Sequence, residues 1–98
     1  MMNYLEQFDI TEEDISLLKQ NLKPDVILNF EVMRNNVIEV LTYLKELGVA
    51  NLLNVITFRP DLCFRTVHTL EQELIKIDKE LLLYIFNNTI DDLTNFNI

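Results

Sequence analysis

Apolar residues recur along this chain at the three- and four-residue spacing of an amphipathic α-helix. The most regular stripe runs from Phe30 to Leu47 and stops at Gly48, the one glycine of the sequence. Further stripes at this spacing are Ile15, Leu18 and Leu22; Leu52, Leu53, Val55, Ile56 and Phe58; Leu70, Leu74, Ile77, Leu81 and Ile85; and Leu93 with Phe96. No segment alternates between apolar and polar residues as a half-buried strand does. The pattern therefore predicts an all-α fold with about six helices.

Polar residues mark where these helices begin and end. Thr11 precedes the acidic residues 12–14, which predicts an N-cap followed by side chains that the helix dipole stabilises. Asn29 is the predicted N-cap of the helix that ends at Gly48, and Thr69 opens a predicted capping box for the last long helix. Gly48 suits the left-handed residue that commonly follows a helix.

Two short segments occur twice along the chain. Residues 4–10 return at 43–49, each copy beginning with a tyrosine-leucine pair. Residues 23–27 return at 59–63, each copy beginning with a basic residue, a proline and an aspartate. Repetition with a period of roughly 20–50 residues is typical of stacked helical units that bury their apolar faces against one another. We therefore expect a helical-repeat array.

The expected array occupies a single domain, residues 1–98. Each unit consists of a short helix, a turn that a proline initiates, and a long helix. Unit one covers residues 4–42, unit two covers 43–80, and a partial unit covers 81–98. Pro24 and Pro60 are expected to begin equivalent turns, because proline fits the first turn of a helix, where its missing N–H is not needed.

The second unit contains a distinctive order of elements. A leucine-rich helix that ends in Leu-Gly-Val precedes an apolar helix, a proline and a returning long helix. The residues in this order are Leu44, Leu47, Gly48, Val49, Leu52, Ile56, Pro60, Leu62, Leu70, Leu74 and Ile77. The order resembles the repeat of the mitochondrial transcription termination factor family. That resemblance implies a curved solenoid and nucleic-acid binding through basic residues on its inner surface, for which the candidates are Lys19, Lys23, Arg59 and Arg65.

The charge balance favours a protein partner over nucleic acid. Sixteen acidic residues against eight basic ones give a formal net charge of −8, whereas phosphate binding needs a basic surface. An acidic surface suits a basic protein partner. No apolar run approaches the roughly 18–20 residues of a membrane span, and the N-terminal residues lack the pattern of a signal peptide. With a single cysteine and no internal disulfide, the chain is expected in the cytoplasm, without membrane association.

No group of residues in the sequence predicts catalysis, a metal site or a cofactor. Cys63 and His68 fall in a predicted turn and at a helix start, so their spacing gives no reason for a nucleophile–base contact. Cys63 corresponds to the apolar Ile27 of the first unit, which predicts a buried thiol. His68 has no second histidine or cysteine cluster to complete a metal site. We therefore expect no enzyme activity, no metal and no cofactor.

Residues 81–86 are apolar on every side of the predicted helix. A helix of this kind must be covered on more than one face. Burial between the second unit and the last partial unit would provide that cover, and so would a dimer or partner interface. Leu83 and Phe86, on the face opposite Leu81 and Ile85, are the predicted contacts with another chain.

The leading functional prediction is a small, acidic, non-catalytic protein-interaction module or adaptor, with a homodimer as one arrangement. A nucleic-acid-associated protein of the transcription termination factor type is the first alternative, as the resemblance implies. An acidic inhibitor or immunity-like protein that caps a basic partner is the second alternative. The residues alone do not separate the interaction module from the inhibitor.

Overall fold

Residues 2–98 are described by a computed structural model, and they form helices joined by short turns, with no strand. The α-helices are α1 (Glu12–Asn21), α2 (Pro24–Val32), α3 (Arg34–Leu47), α4 (Leu52–Phe58), α5 (Val67–Leu74) and α6 (Lys79–Asn88). The 3-10 helices are an N-terminal one (Asn3–Phe8), a middle one (Pro60–Phe64) and a C-terminal one (Ile90–Phe96). The predicted all-α class is confirmed, whereas the expected number of about six helices is too low. Within the described residues, no helix combines the length and the apolar character needed to cross a membrane.

Two helix boundaries follow the polar signals in the sequence. The Thr11 side chain accepts a hydrogen bond from the Asp14 backbone N–H, and the Asp14 carboxylate accepts one from the Thr11 N–H, each at 3.1 Å. This capping box fixes the start of α1. Gly48 follows α3 with a φ of 116°, and its N–H donates to the carbonyls of Leu44 and Lys45. Both boundaries confirm the predictions.

The predicted caps of the two long helices are wrong. Asn29 lies inside α2, which begins at Pro24, and Met33 separates α2 from α3. Thr66 rather than Thr69 caps α5, and its side chain accepts a hydrogen bond from the Thr69 N–H at 3.1 Å. In each case a residue further upstream, a proline or a hydroxyl side chain, already suits the N-terminus of a helix. Helix α2 therefore begins before Asn29 and α5 begins before Thr69, whereas α3, the helix that ends at Gly48, begins after Asn29.

The last long helix is interrupted. Where the sequence pattern predicts one helix over residues 70–86, α5 ends at Leu74 and α6 begins after Asp78. The Asp78 carboxylate accepts a hydrogen bond from the Leu81 N–H at 3.4 Å, so Asp78 acts as an N-cap in the middle of the predicted stripe. Aspartate side chains compete with the backbone in this way and disfavour helix interiors. This interruption and the 3-10 helices account for the larger number of elements.

The two proline segments differ in local structure. Pro24 begins the nine-residue helix α2, whereas Pro60 begins a five-residue 3-10 helix. The residues before the prolines also differ, with φ −65° and ψ 149° at Lys23 and φ −137° and ψ 58° at Arg59. The expected equivalence of the two turns is therefore wrong in its local geometry. The repeat itself stays a prediction from the sequence.

Helix α3 lies at the centre of the fold. It packs against α2, α4, α5, the N-terminal 3-10 helix and the middle 3-10 helix. The side chains that it buries are Val37, Val40, Leu41 and Leu44. They belong to one continuous apolar core to which every helix contributes. Among residues 2–98, none of the buried residues is polar or charged, so apolar packing determines how the helices are arranged.

Candidate functional site

The predicted interface residues of α6 do not share an exposed face. Phe86 is completely buried. Leu83 is half-buried beside Gly48, where an added Cβ would lie 3.2 Å from Leu83 Cδ1. Phe86 is therefore wrong as a contact with another chain, because the C-terminal 3-10 helix packs on α6 and the core encloses the ring. The exposed apolar residues of α6 are instead Leu81 and Tyr84.

Two of the four basic residues that the family resemblance indicated are held in ion pairs. Arg59 donates two hydrogen bonds of 3.0 Å to the Asp61 carboxylate. Arg65 pairs with Asp61 at 3.1 Å and with Glu73 at 3.0 Å. Both guanidinium groups also donate to the main-chain carbonyl oxygen of Ile98, Arg59 at 2.6 Å and Arg65 at 2.8 Å. Carboxylates of the chain itself therefore match much of their positive charge.

The pKa values of this cluster reflect the same pairing. Burial alone would raise the pKa of Asp61, but the hydrogen bond and charge of Arg59, together with the charge of Arg65, lower it overall. The hydrogen bond to Asp61 raises the pKa of Arg59. The other two basic candidates lie elsewhere in the chain, Lys19 in the last turn of α1 and Lys23 directly before α2.

The predicted buried thiol is confirmed. Cys63 is completely buried in the middle 3-10 helix, and this burial, with the nearby charge of Asp61, raises its pKa to about 12. The thiol is therefore protonated at neutral pH and is a poor nucleophile. His68 is exposed on α5. Among residues 2–98, no three His, Cys, Asp or Glu side chains come together in a group that could hold a metal ion.

The buried thiol makes the stability of the protein sensitive to alkaline pH. An unfolded chain ionises its cysteine near pH ~8.5, whereas folded Cys63 stays protonated up to about pH 12. Because the pKa is raised in the folded state, the free energy of unfolding is fully retained below about pH 8.5 and falls as the pH rises from there towards the folded pKa, since only the unfolded chain loses the proton in this range. Urea unfolding between about pH 7 and about pH 10 should show this decline in the wild type and a smaller decline in Cys63→Ala. If the free energy of unfolding falls equally steeply with pH in the two proteins, Cys63 is not the cause of the decline.

Asn36 connects two distant parts of the chain, and the sequence pattern did not identify it. Its side-chain amide on α3 donates to the carbonyl oxygens of Cys63 at 3.0 Å and of Arg65 at 2.8 Å. One side chain thus holds the turn that carries Arg65 into the ion-pair cluster. No local signal could identify it, because its partners lie 27 and 29 residues away along the chain.

An apolar groove of about 480 Å³ opens between α3, α5 and α6. Its apolar lining consists of Tyr43, Leu47, Leu74, Ile75, Ile77 and Leu82. Leu74, Ile77 and Leu82 are buried, whereas Ile75 exposes 74% of its surface. The turn between α5 and α6 supplies part of this lining, so the groove depends on the helix interruption that the sequence pattern missed.

Polar groups line the same groove. Tyr43, four residues before Leu47 on α3, is half-buried, and burial followed by the charge of Glu71 raises its pKa. The Glu71 carboxylate on α5 is thus close enough to act on the Tyr43 hydroxyl. Asp78 and Lys79 contribute charged groups at the start of α6. A mostly apolar concavity with a few converging polar groups is the usual form of a binding site.

Comparison with known proteins identifies no relative. No family model, no curated protein and no solved structure matches this chain. The resemblance to the transcription termination factor repeat stays a prediction from the order of residues.

Proposed function

We propose that this protein is a small, non-catalytic interaction module that binds a protein partner in the groove between α3, α5 and α6. The observation that supports this function most strongly is Ile75, a large aliphatic side chain with 74% of its surface exposed in the lining of an apolar concavity. Apolar surface that continues into an apolar concavity is typical of binding sites. The volume of about 480 Å³ lies within the roughly 300–1,000 Å³ of ligand sites.

The walls of the groove favour an α-helix as the bound element. Three helices and the turn between α5 and α6 line the groove, and a short amphipathic helix can insert the apolar side chains of one face between them. Tyr43 and Leu47, one turn apart on α3, form one side of the groove, which matches the spacing of side chains along a bound helix. The net charge of −8 favours a basic protein as the source of that helix. A cytoplasmic setting belongs to this proposal, because the single cysteine forms no disulfide and suits a reducing compartment.

Selection of a displayed library of helical peptides, each of about three turns, on the wild-type protein tests the proposal. Ile75→Glu places a charge in the groove lining and should weaken the selected peptides by about tenfold or more, since burial of such a side chain stabilises a complex by about 1.5–3 kcal/mol. Fluorescence anisotropy with synthetic copies of the selected peptides measures the affinity.

Val32→Glu is the matched control for this experiment. Val32 on α2 exposes 73% of its surface, close to the 74% of Ile75, and lies outside the groove lining. The same change in charge should therefore leave the affinity unchanged. Equal binding of the peptides to both variants, or no enriched peptide at all, would contradict the proposal. A wild-type dimer that Ile75→Glu dissociates would instead assign the groove to a second copy of this chain.

A further inference from the structure

We infer that the groove recognises an arginine of the partner helix, whose guanidinium lies between the Glu71 carboxylate and the Tyr43 ring. This inference is based on the proposed function and specifies the chemistry of the partner. Glu71 and Tyr43 line the same groove from two different helices, α5 and α3. A cation that enters between them meets a carboxylate on one side and an aromatic ring on the other.

Neither polar group is occupied by another side chain within the described part of the chain. Among residues 2–98, no ion pair involves Glu71, whose side chain is exposed at the rim of the groove. No hydrogen bond of the Tyr43 hydroxyl occurs within the same residues, where its electrostatic neighbour is Glu71. A carboxylate and a phenol at an apolar groove are therefore available to a partner, and two carboxylates, Glu71 and Asp78, against the single cation Lys79 in the lining favour a cationic one.

The protein itself contains a guanidinium placed on a tyrosine. Arg34, at the start of α3, lies over the Tyr4 ring with 5.5 Å between its Cζ and the ring centroid. Glu31 is close enough to act electrostatically on the Tyr4 hydroxyl as well. Tyr4 and Tyr43 correspond in the two repeated sequence segments. Tyr4 thus shows that a guanidinium can lie over a tyrosine ring of this protein, and at Tyr43 the partner would supply the cation.

Arginine suits this position better than lysine. A planar guanidinium can form two hydrogen bonds with a carboxylate and stack on an aromatic ring at the same time, whereas the lysine ammonium is a compact point charge. Cation–π attraction and the ion pair both strengthen when apolar neighbours exclude water. Leu47 and Leu74 supply such neighbours in the groove. The arginine is thus expected at one end of the apolar stripe of the bound helix.

A double-mutant cycle between protein and peptide tests the inference. Peptides selected from the helical library on the wild type should carry an arginine at one end of their apolar stripe. Replacing that arginine by citrulline, its neutral isostere, should weaken binding to the wild type by about tenfold. The same replacement should weaken binding to the Glu71→Gln variant much less, because that variant has already lost the contact between the carboxylate and the arginine. Glu80→Gln alters an exposed carboxylate of α6 outside the groove lining and should retain the full difference.

The outcomes separate this inference from the function on which it is based. Peptides whose binding depends on Ile75 but is equal with arginine and citrulline would overturn the arginine contact and leave the groove as the binding site. If citrulline weakens binding to the wild type and to Glu71→Gln by the same factor, the arginine contact with Glu71 is also overturned, because the guanidinium then binds another group. Selected peptides that are insensitive to Ile75→Glu, or no enriched peptide, would overturn both. Circular dichroism of each variant verifies that the helical fold is retained.

Discussion

Replacing Phe86 by alanine is expected to lower the free energy of unfolding by about 3–5 kcal/mol. Phe86 has no exposed surface and belongs to the continuous apolar core. Truncation of the ring removes a large apolar contact area, and the close-packed neighbours fill the resulting cavity only in part. The loss is large against the roughly 5–15 kcal/mol that stabilises a typical domain, so the midpoint of urea unfolding should fall markedly.

Tyr84→Ala is the control for this substitution. Tyr84 lies on the same helix and exposes 58% of its surface, so its truncation should change the free energy of unfolding by less than about 0.5 kcal/mol. Urea unfolding of both variants, followed by circular dichroism, makes the comparison. A small change for Phe86→Ala, accompanied by loss of self-association in sedimentation, would restore Phe86 to the interface that the sequence pattern predicted.

Asn36→Asp is expected to lower the free energy of unfolding by about 2–4 kcal/mol at neutral pH. The Asn36 amide donates to two carbonyl oxygens at 3.0 and 2.8 Å. A carboxylate of the same shape has no hydrogen to donate and repels both oxygens. The turn between the middle 3-10 helix and α5 would then lose its attachment to α3.

The pH dependence distinguishes this cause from a general loss of packing. A carboxylate beside two carbonyl oxygens favours the protonated form in the folded state, so the deficit relative to the wild type should shrink as the pH falls from neutral towards about 4 and stay small below it. Asn35→Asp introduces the same charge at the neighbouring exposed position of α3 and should change the free energy of unfolding by less than about 0.5 kcal/mol. Equal effects of the two substitutions would show that added charge, rather than the two lost hydrogen bonds, causes the change.

Sequence patterns predicted the structure well where one short segment determines the outcome. The N-cap at Thr11 and the left-handed Gly48 each depend on residues within four positions, and both are confirmed. The burial of Cys63 is confirmed too. It was predicted because Cys63 corresponds to the apolar Ile27 in the repeated segments, which indicated an apolar environment. Such local signals fix helix ends and inward faces with little help from the rest of the chain.

Features that depend on competition or on distant contacts were not predictable in this way. The stripe over residues 70–86 supports one helix, whereas the Asp78 cap supports two, and tertiary packing routinely overrides such local preferences. The groove depends on that interruption, because the turn between α5 and α6 lines it. One continuous helix over residues 70–86 would lack this turn, so the sequence pattern did not predict the groove. Asn36 was missed for a related reason, since its partners become neighbours only in the folded molecule. The apolar character of α6 was recognised, but its inward face was assigned to Leu81 rather than to Phe86.

The contact between Gly48 and Leu83 sets the spacing of two helices that form the groove. No side chain separates the end of α3 from Leu83 on α6, and a Cβ at Gly48 would approach Leu83 Cδ1 to 3.2 Å. Because the distance between packed helices depends on the size of the side chains at their contact, a longer or shorter apolar residue at position 83 would shift α6 relative to α3. Such an exchange would alter the width of the groove without changing its lining. In the proposed complex, divergent descendants of this sequence would thereby acquire selectivity for bulkier or slimmer helices through one position outside the groove lining.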